Sequence, residues 1–222
     1  MTTWLSWSSG KDSAFALHAL RREGVAVTGL FTTVNAAADR VAMHAVRREL
    51  LAAQAASAGL PLHEIELPWP CTNDNYEEIM AAFLGEAHRQ GVTQMAFGDL
   101  FLNDIRAYRE KNLQGSGIAP LFPLWGLPTA QLAHDMLAAG LSARLTSIDL
   151  SRLDIAFAGR LFDHSLLADL TEGIDPCGEN GEFHTFVTAG PMLAWPIDVM
   201  VGEVVVREGF AYADLLAAPP VG

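Results

Sequence analysis

Thr3-Trp4-Leu5-Ser6-Trp7-Ser8-Ser9-Gly10-Lys11-Asp12-Ser13-Ala14-Phe15-Ala16-Leu17 is the stretch whose reading decides the fold. Thr3 to Trp7 mixes β-branched, aromatic and apolar residues, the composition of a short strand. Ala14 onward places Phe15, Leu17 and Leu20 at helical spacing. Between the two lies a hexapeptide of small and charged residues. In a parallel sheet such a turn sits at the carboxyl end of its strand and the amino end of its helix, where unpaired N–H groups and the positive dipole end favour an anion. Ser8, Ser9 and Gly10 are small enough to let a phosphate approach the main chain, the hydroxyls of Ser8 and Ser13 add donors, and Lys11 adds charge. Asp12 would repel a bare phosphate and fits such a site only by positioning Mg²⁺ or orienting the loop. Taken alone, the hexapeptide also reads as an ordinary turn with Ser and Asp as caps.

The same rhythm continues outward. Strands are expected near 2–7, 25–33, 62–67, 94–99 and 119–124, with helices over 13–23, 43–58 and 75–90 between them, the pattern of a parallel sheet wrapped by helices. Gly24, Gly59 and Gly91 each fall just past a helix, where a left-handed residue commonly ends one. After residue 126 the rhythm loosens into a helix over 128–139, a strand over 142–149, a helix near 160–170, a Gly-rich loop at 173–184, and strands near 185–190 and 198–207. The expected organisation is residues 1–126 as a phosphate-binding unit and 127–222 as a smaller α+β unit completing the site.

Half of the 222 residues are apolar and 18% are charged, an ordinary globular balance. The formal charge of −12 leaves no general basic surface, which argues against broad binding to nucleic-acid backbones. No apolar run approaches the length of a membrane span and no leader pattern opens the chain, so a cytoplasmic protein is expected. Cys71 and Cys177 form no Cys-x-x-Cys pair, suggesting neither a disulfide framework nor zinc.

The Walker loop and the dinucleotide Gly-x-Gly-x-x-Gly are both absent. A second stretch, Asp175-Pro176-Cys177-Gly178-Glu179-Asn180-Gly181-Glu182-Phe183-His184-Thr185, gathers carboxylates, an amide and an imidazole between glycines, more functional groups than a surface turn needs. The hexapeptide resembles the Ser-Gly-Gly-x-Asp-Ser loop of the ATP pyrophosphatases, with Ser9 in place of the first glycine. The second stretch is similar to the Gly-Glu-Asn-Gly-Glu-Phe-His-Thr signature of the diphthine-ammonia ligase family and its bacterial relatives. The likeness extends to Phe97-Gly98-Asp99, Arg106, Glu110 and Pro120-Leu121-Phe122-Pro123-Leu124-Trp125.

This resemblance implies a five-stranded parallel Rossmann-like sheet of the HUP type with helices on both faces. It implies an enzyme using ATP and Mg²⁺ that adenylates a carboxylate or carbonyl acceptor, expels pyrophosphate, and lets ammonia or another amine displace AMP. The acceptor, a small molecule or a protein side chain, is not named by any residue here. With no glutaminase unit in the chain, free ammonia or a separate donor is expected, and pairing of two copies is expected from the superfamily. Ser8, Ser9, Gly10, Lys11 and Ser13 would hold phosphates, Asp12 and Asp99 the metal, and Phe31, Thr32 and Thr33 the adenine. Gly98 and Asp99 end the fourth strand; Asp99 contacts metal or ribose, or else caps the next helix. Arg106 meets the α-phosphate or acceptor, or else pairs with Glu110 four residues on. Glu179, Asn180, Glu182 and His184 form the acceptor end, with a glutamate or the histidine moving protons, or else the loop is structural. Two other readings remain: a tRNA-modifying relative, and a nucleotide-binding module of the universal-stress type.

Overall fold

The computed structural model describes residues 1–35, 40–41 and 46–219; the first residues of the helix expected over 43–58 and the chain end at 220–222 lie outside them. Among the described residues, ten strands and six α-helices run in the order β1 (Thr3–Ser6), α1 (Lys11–Arg22), β2 (Val27–Asn35), β3 (Arg40–Val41), α2 (Arg48–Ala58), β4 (Leu62–Leu67), α3 (Asn73–Arg89), β5 (Gln94–Ala96), α4 (Asn103–Leu113), β6 (Ala119–Leu121), α5 (Thr129–Ala138), β7 (Ser142–Asp149), α6 (His164–Asp169), β8 (Phe183–Ala189), β9 (Val199–Arg207) and β10 (Phe210–Ala217).

Five strands form a parallel sheet ordered β4-β2-β1-β5-β6. The two-residue β3 adds an antiparallel pair to the end of β2, at Val34 and Asn35. Because successive strand residues point to opposite faces, Leu5, Leu30 and Ala96 join one apolar cluster while Trp4, Phe31 and Met95 join another. Helices α1 and α2 cover the first face through Leu17, Leu20, Leu50 and Leu51; α3 and α4 cover the second through Leu84, Ala87 and Leu113. Gly24, Gly59 and Gly91 all adopt positive φ, between 68° and 80°.

The second sheet is antiparallel and ordered β8-β7-β10-β9. Its buried residues Leu145, Phe183, Phe186 and Ala211 belong to the same cluster as Leu5, Trp7 and Leu17, so one core runs beneath both sheets. Asp163 shortens the helix expected near 160–170, its carboxylate accepting from Leu166 N at 2.8 Å and capping α6. Strand β10, which the sequence did not announce, is set by the two-residue turn Glu208-Gly209, both at positive φ, that folds it back on β9.

The chain runs from β1 outward to β4, then crosses to β5 on the other side of β1. Strand order therefore reverses between β1 and β5, and the crevice at their carboxyl ends is where ligands of open parallel sheets bind.

Candidate active site

That crevice holds a cavity of about 540 Å³. One end is polar, with Ser8, Lys11, Asp12, Ser13, Glu179, Asn180, His184 and Thr185 in its walls. The other is mainly apolar, with Phe31, Ile65, Met80, Leu84 and Phe97. Both motifs picked out in the sequence thus meet in one place, although 161 residues separate Ser13 from Asp175, where the second one begins.

The Ser8–Ser13 loop is tied down from three sides. Ser9 takes a φ of 70°, the left-handed region that favours glycine, which is the physical reason for a glycine in the pattern it resembles. Val187 N of β8 and the Gln54 side-chain amide both donate to Ser9 O, at 3.0 and 3.1 Å. Gln54 in turn accepts from the Trp7 indole at 3.0 Å and donates to Val187 O at 2.6 Å. Ser8 and Ser13 hydroxyls lie 3.2 Å apart. Lys11 N donates to Thr185 Oγ1 at 3.0 Å, and no side chain caps α1, whose N-cap is Gly10.

Gly98 packs edge-on against this loop. A Cβ at position 98 would lie 2.9 Å from Asp12 C and Ser13 N, both backbone atoms that cannot swing away. Gly98→Ala should therefore displace the loop at a stability cost of about 1–3 kcal/mol and weaken nucleotide binding at least tenfold (~1.4 kcal/mol). Calorimetric titration with ATP and a thermal melt check it; wild-type affinity would show that the loop does not meet nucleotide.

Lys11 is only 2% exposed. An ammonium has three donors, and all three are engaged: two on the Asp12 carboxylate oxygens, at 2.9 and 2.8 Å, and one on Cys177 O. Burial works to strip its proton, yet Asp12, Cys177 and Glu179 outweigh that, and the pKa of Lys11 is raised. The lysine therefore latches the first loop to the second. Asp12, expected on the metal, is closed upon Lys11.

In the second loop the two glutamates separate. Glu182 is fully buried beneath the cavity wall rather than in it; its Oε1 accepts from Asp175 N at 3.0 Å and Asn180 Nδ2 at 3.2 Å, with Arg152 at 3.5 Å. That makes it the strut of the loop, not a group that reaches ligand. Glu179 lines the cavity, accepts from Leu100 N at 2.7 Å, and has its pKa pushed up to about 7 by burial, with Asp12 and Asp99 nearby adding to the effect. His184 also lines the cavity; burial and the charge of Lys11 push it down to about 4, so it is neutral near pH 7. Burial pushes the Cys177 thiol up to about 12, and its Sγ donates to Thr129 O at 3.4 Å, which leaves it inert.

Phe31, Thr32, Thr33 and Asp99 line the cavity. Phe31 is at once core and wall, 5% exposed and tilted against Phe83 with ring centroids 5.3 Å apart. Ser9 and Gly10 shape the loop from behind and are not among the lining residues. Arg106 is not there either: it pairs with Glu110 at 2.8 Å and lies over Phe122 and Trp125, 4.8 Å from each ring. Arg109, which the sequence reading passed over, lines the cavity instead, together with Asn112 and Tyr76. Helix phase does not choose between the two arginines, since Arg106 is four residues after Leu102 and three before Arg109 and so shares the spacing of Leu102, Ile105, Arg109 and Asn112; what draws Arg106 away is its pairing with Glu110 and its seat over Phe122 and Trp125.

Among the described residues no three His, Cys, Asp or Glu side chains are grouped to hold a metal on their own. Mg²⁺ asks for less, since it takes one or two carboxylates and completes its shell with phosphates and water. The carboxylates of Asp12 and Asp99 in one wall are donors of the right kind.

Comparison with known proteins agrees with this arrangement. The family model described as the diphthamide synthase N-terminal domain matches residues 1–120, and the diphthamide synthase C-terminal domain matches 128–216. The diphthine–ammonia ligase of Danio rerio is 26% identical over 230 residues, covering 94% of this chain and 90% of the fish protein. That of Homo sapiens is 25% identical over 151 residues, covering 65% of this chain, which matches 56% of the human protein's length. A solved structure of a predicted subunit of tRNA methyltransferase from Methanocaldococcus jannaschii aligns over 86% of this chain and 98% of its own, at 17% identity and a TM-score of 0.46. No helix among the described residues is long and apolar enough to cross a membrane. With both halves matched in order and the two motifs joined in one cavity, the chain belongs to the diphthamide synthase family.

Proposed function

We propose that this chain is an ATP-dependent ligase that adenylates a carboxylate or carbonyl acceptor, releases pyrophosphate, and joins the acceptor to ammonia or another amine. The observation that carries the reading is the meeting of the Ser8–Ser13 loop with Glu179 in a single cavity at the switch point of the sheet. The likeness to diphthine–ammonia ligases supports the same class of reaction; diphthine itself is one acceptor to test.

Residues 1–126 would bind ATP and 127–222 would complete the acceptor end. In this arrangement the triphosphate lies along the Ser8–Ser13 loop, with first-turn N–H groups of α1 and the Ser8 and Ser13 hydroxyls as donors. A phosphate entering there competes with Asp12 for Lys11, so the ammonium passes from carboxylate to phosphate and stabilises charge developing on the leaving group. Adenine would rest against Phe31, Thr32 and Thr33. Asp99, and Asp12 once released from Lys11, would hold Mg²⁺, which when bound supplies a counter-charge to the departing pyrophosphate.

The proton of the attacking amine needs an acceptor whose pKa is close to the working pH. Glu179 alone among the three expected proton carriers meets that condition, since His184 is too weak a base and Glu182 is shut away. Asn180 and His184 would orient the acceptor beside it.

The test is the product set. Incubated with ATP, ammonium and candidate carboxylic acids, the protein should release AMP and pyrophosphate, and a true acceptor should drive isotope exchange between pyrophosphate and ATP. Formation of ADP and phosphate, or binding without turnover across acceptors including diphthine, would dismiss the ligase reading.

A further inference from the structure

We propose that Arg109, with Asn112 one helical turn on, is the oxyanion-receiving group of the cavity, a role no residue of the recognised motifs fills in this structure. The inference rests on the reading of the cavity as the place where ATP meets its acceptor, and it adds which side chain takes the anion at the acceptor side.

The argument begins with charge. The cavity wall carries the carboxylates of Asp12, Asp99 and Glu179, and its cations among the described residues are Lys11 and Arg109. A carboxylate or phosphate entering such a wall needs a cation with donors to spare. All three donors of Lys11 are spent inside the protein, so it can meet the phosphate tail only by leaving Asp12 and has nothing to offer a second oxyanion. Arg106 points elsewhere, stacked on Phe122 and Trp125 and bonded to Glu110.

Arg109 is held differently. Its Nε donates to Asp99 Oδ2 at 3.4 Å, a long bond, and its guanidinium lies over the Phe97 ring, 5.1 Å from the centroid. Those two contacts fix the plane of the group. No hydrogen bond from its terminal nitrogens is recorded among the described residues, so the paired donors that grip carboxylates and phosphates side by side remain available. Asn112 also lines the cavity, and its amide has no recorded partner among those residues. Below the pair, Leu102, Ile105 and Leu113 make the wall apolar, which strengthens any ion pair formed above it. Asp99 keeps the guanidinium in place without saturating it, and its own carboxyl is held above the usual range by burial, with Arg109 offsetting part of the rise.

The bound oxyanion has two sources, the α-phosphate of the nucleotide or the carboxylate of the acceptor. The experiment uses AMP, adenosine, inorganic phosphate and acetate as probes. In the full-length protein, the ¹H–¹⁵N resonance of Arg109 Nε should move with AMP, phosphate or acetate and stay still with adenosine. Arg109→Gln should keep its melting behaviour, because the side chain is partly exposed and its bond to Asp99 is weak. If the α-phosphate is the ligand, that variant should lose the preference for AMP over adenosine by at least tenfold. If the acceptor carboxylate is the ligand, the preference should survive while the acetate response of the cavity amides disappears. Arg109→Lys should restore charge without the fork and recover less than a tenth of the lost affinity. A silent Nε resonance with all three oxyanions, or an unchanged oxyanion response in Arg109→Gln, overturns the proposal. None of these readouts requires turnover, so a failure here is separate from a failure to make AMP and pyrophosphate.

Discussion

Replacing Lys11 by methionine is expected to lower turnover by about 10²–10³-fold, the scale seen when one preorganised donor to a developing charge is removed, and to weaken ATP binding well over tenfold. The substitution has a second effect that must be kept apart from the first. Lys11 is the buried partner of Asp12 and holds Cys177 O, and removing one member of a buried pair leaves the other uncompensated, at about 3–5 kcal/mol. A loss of activity in the single variant alone would therefore mean little. The double variant Lys11→Met, Asp12→Asn separates the two. It should recover most of the lost stability in a denaturant titration and none of the lost turnover. If the double variant binds ATP and turns over as the wild type does, the lysine is a structural latch and nothing more.

Glu179→Gln should reduce the rate of the amide-forming step by about 10²–10⁴-fold, the usual contribution of a positioned proton carrier. It should also abolish a specific feature of the pH profile. In the wild type, kcat/KM should rise with pH through about 7, where Glu179 ionises and becomes able to accept a proton, and level off above. In the glutamine variant that limb should be absent; a variant with the wild-type profile would assign the proton to another group.

The stability consequence has the opposite sign. The folded pKa is raised from 4.5 to about 7, so the fold disfavours the charged form. Its contribution to stability is complete below the unfolded value and is lost as pH rises through about 7. At ~1.4 kcal/mol per pH unit, ionised Glu179 costs on the order of 3 kcal/mol, less some solvent screening. The glutamine variant should therefore melt above the wild type beyond about pH 8, and the difference should vanish below about pH 4.

The parallel sheet was legible because its strands announce themselves residue by residue. Trp4 and Leu5, Leu30 and Phe31, and Met95 and Ala96 each go to opposite faces, and a strand buried on both sides must read as apolar throughout. Strand β10 was not legible for the converse reason. In Phe210-Ala211-Tyr212-Ala213-Asp214 the strand formers Phe210 and Tyr212 alternate with Ala211, Ala213 and Asp214, which strands disfavour, and the mixed signal is decided by pairing with β9 and β7. In the cavity, position was easier to read than direction. The sequence places Glu179 and Glu182 in one short loop, but which of them faces ligand depends on the left-handed glycines between and beside them, Gly178 at 66° and Gly181 at 85°. Whether Arg106 or Arg109 turns inward is likewise decided by what holds Arg106 away, namely Glu110, Phe122 and Trp125. Nothing in the residue types tells that Lys11 rests against Asp12 and Cys177 O, since the latch needs a backbone carbonyl from a distant loop.

The bond from Val187 N to Ser9 O carries a further consequence. It makes the Ser8–Ser13 loop an outlying rung of the antiparallel ladder, so the carboxy-terminal half is a splint for the amino-terminal one and not merely its neighbour. An excised fragment ending near residue 126 would keep the elements proposed to contact ATP and the Gln54 bond to Ser9 O, but would lose the Val187 rung that helps hold Ser9 in a conformation its side chain resists, at a cost on the order of 1–3 kcal/mol. In this architecture the proposed grip on nucleotide would be a property of the whole chain, and any change that loosens the far sheet should be felt first at Ser9.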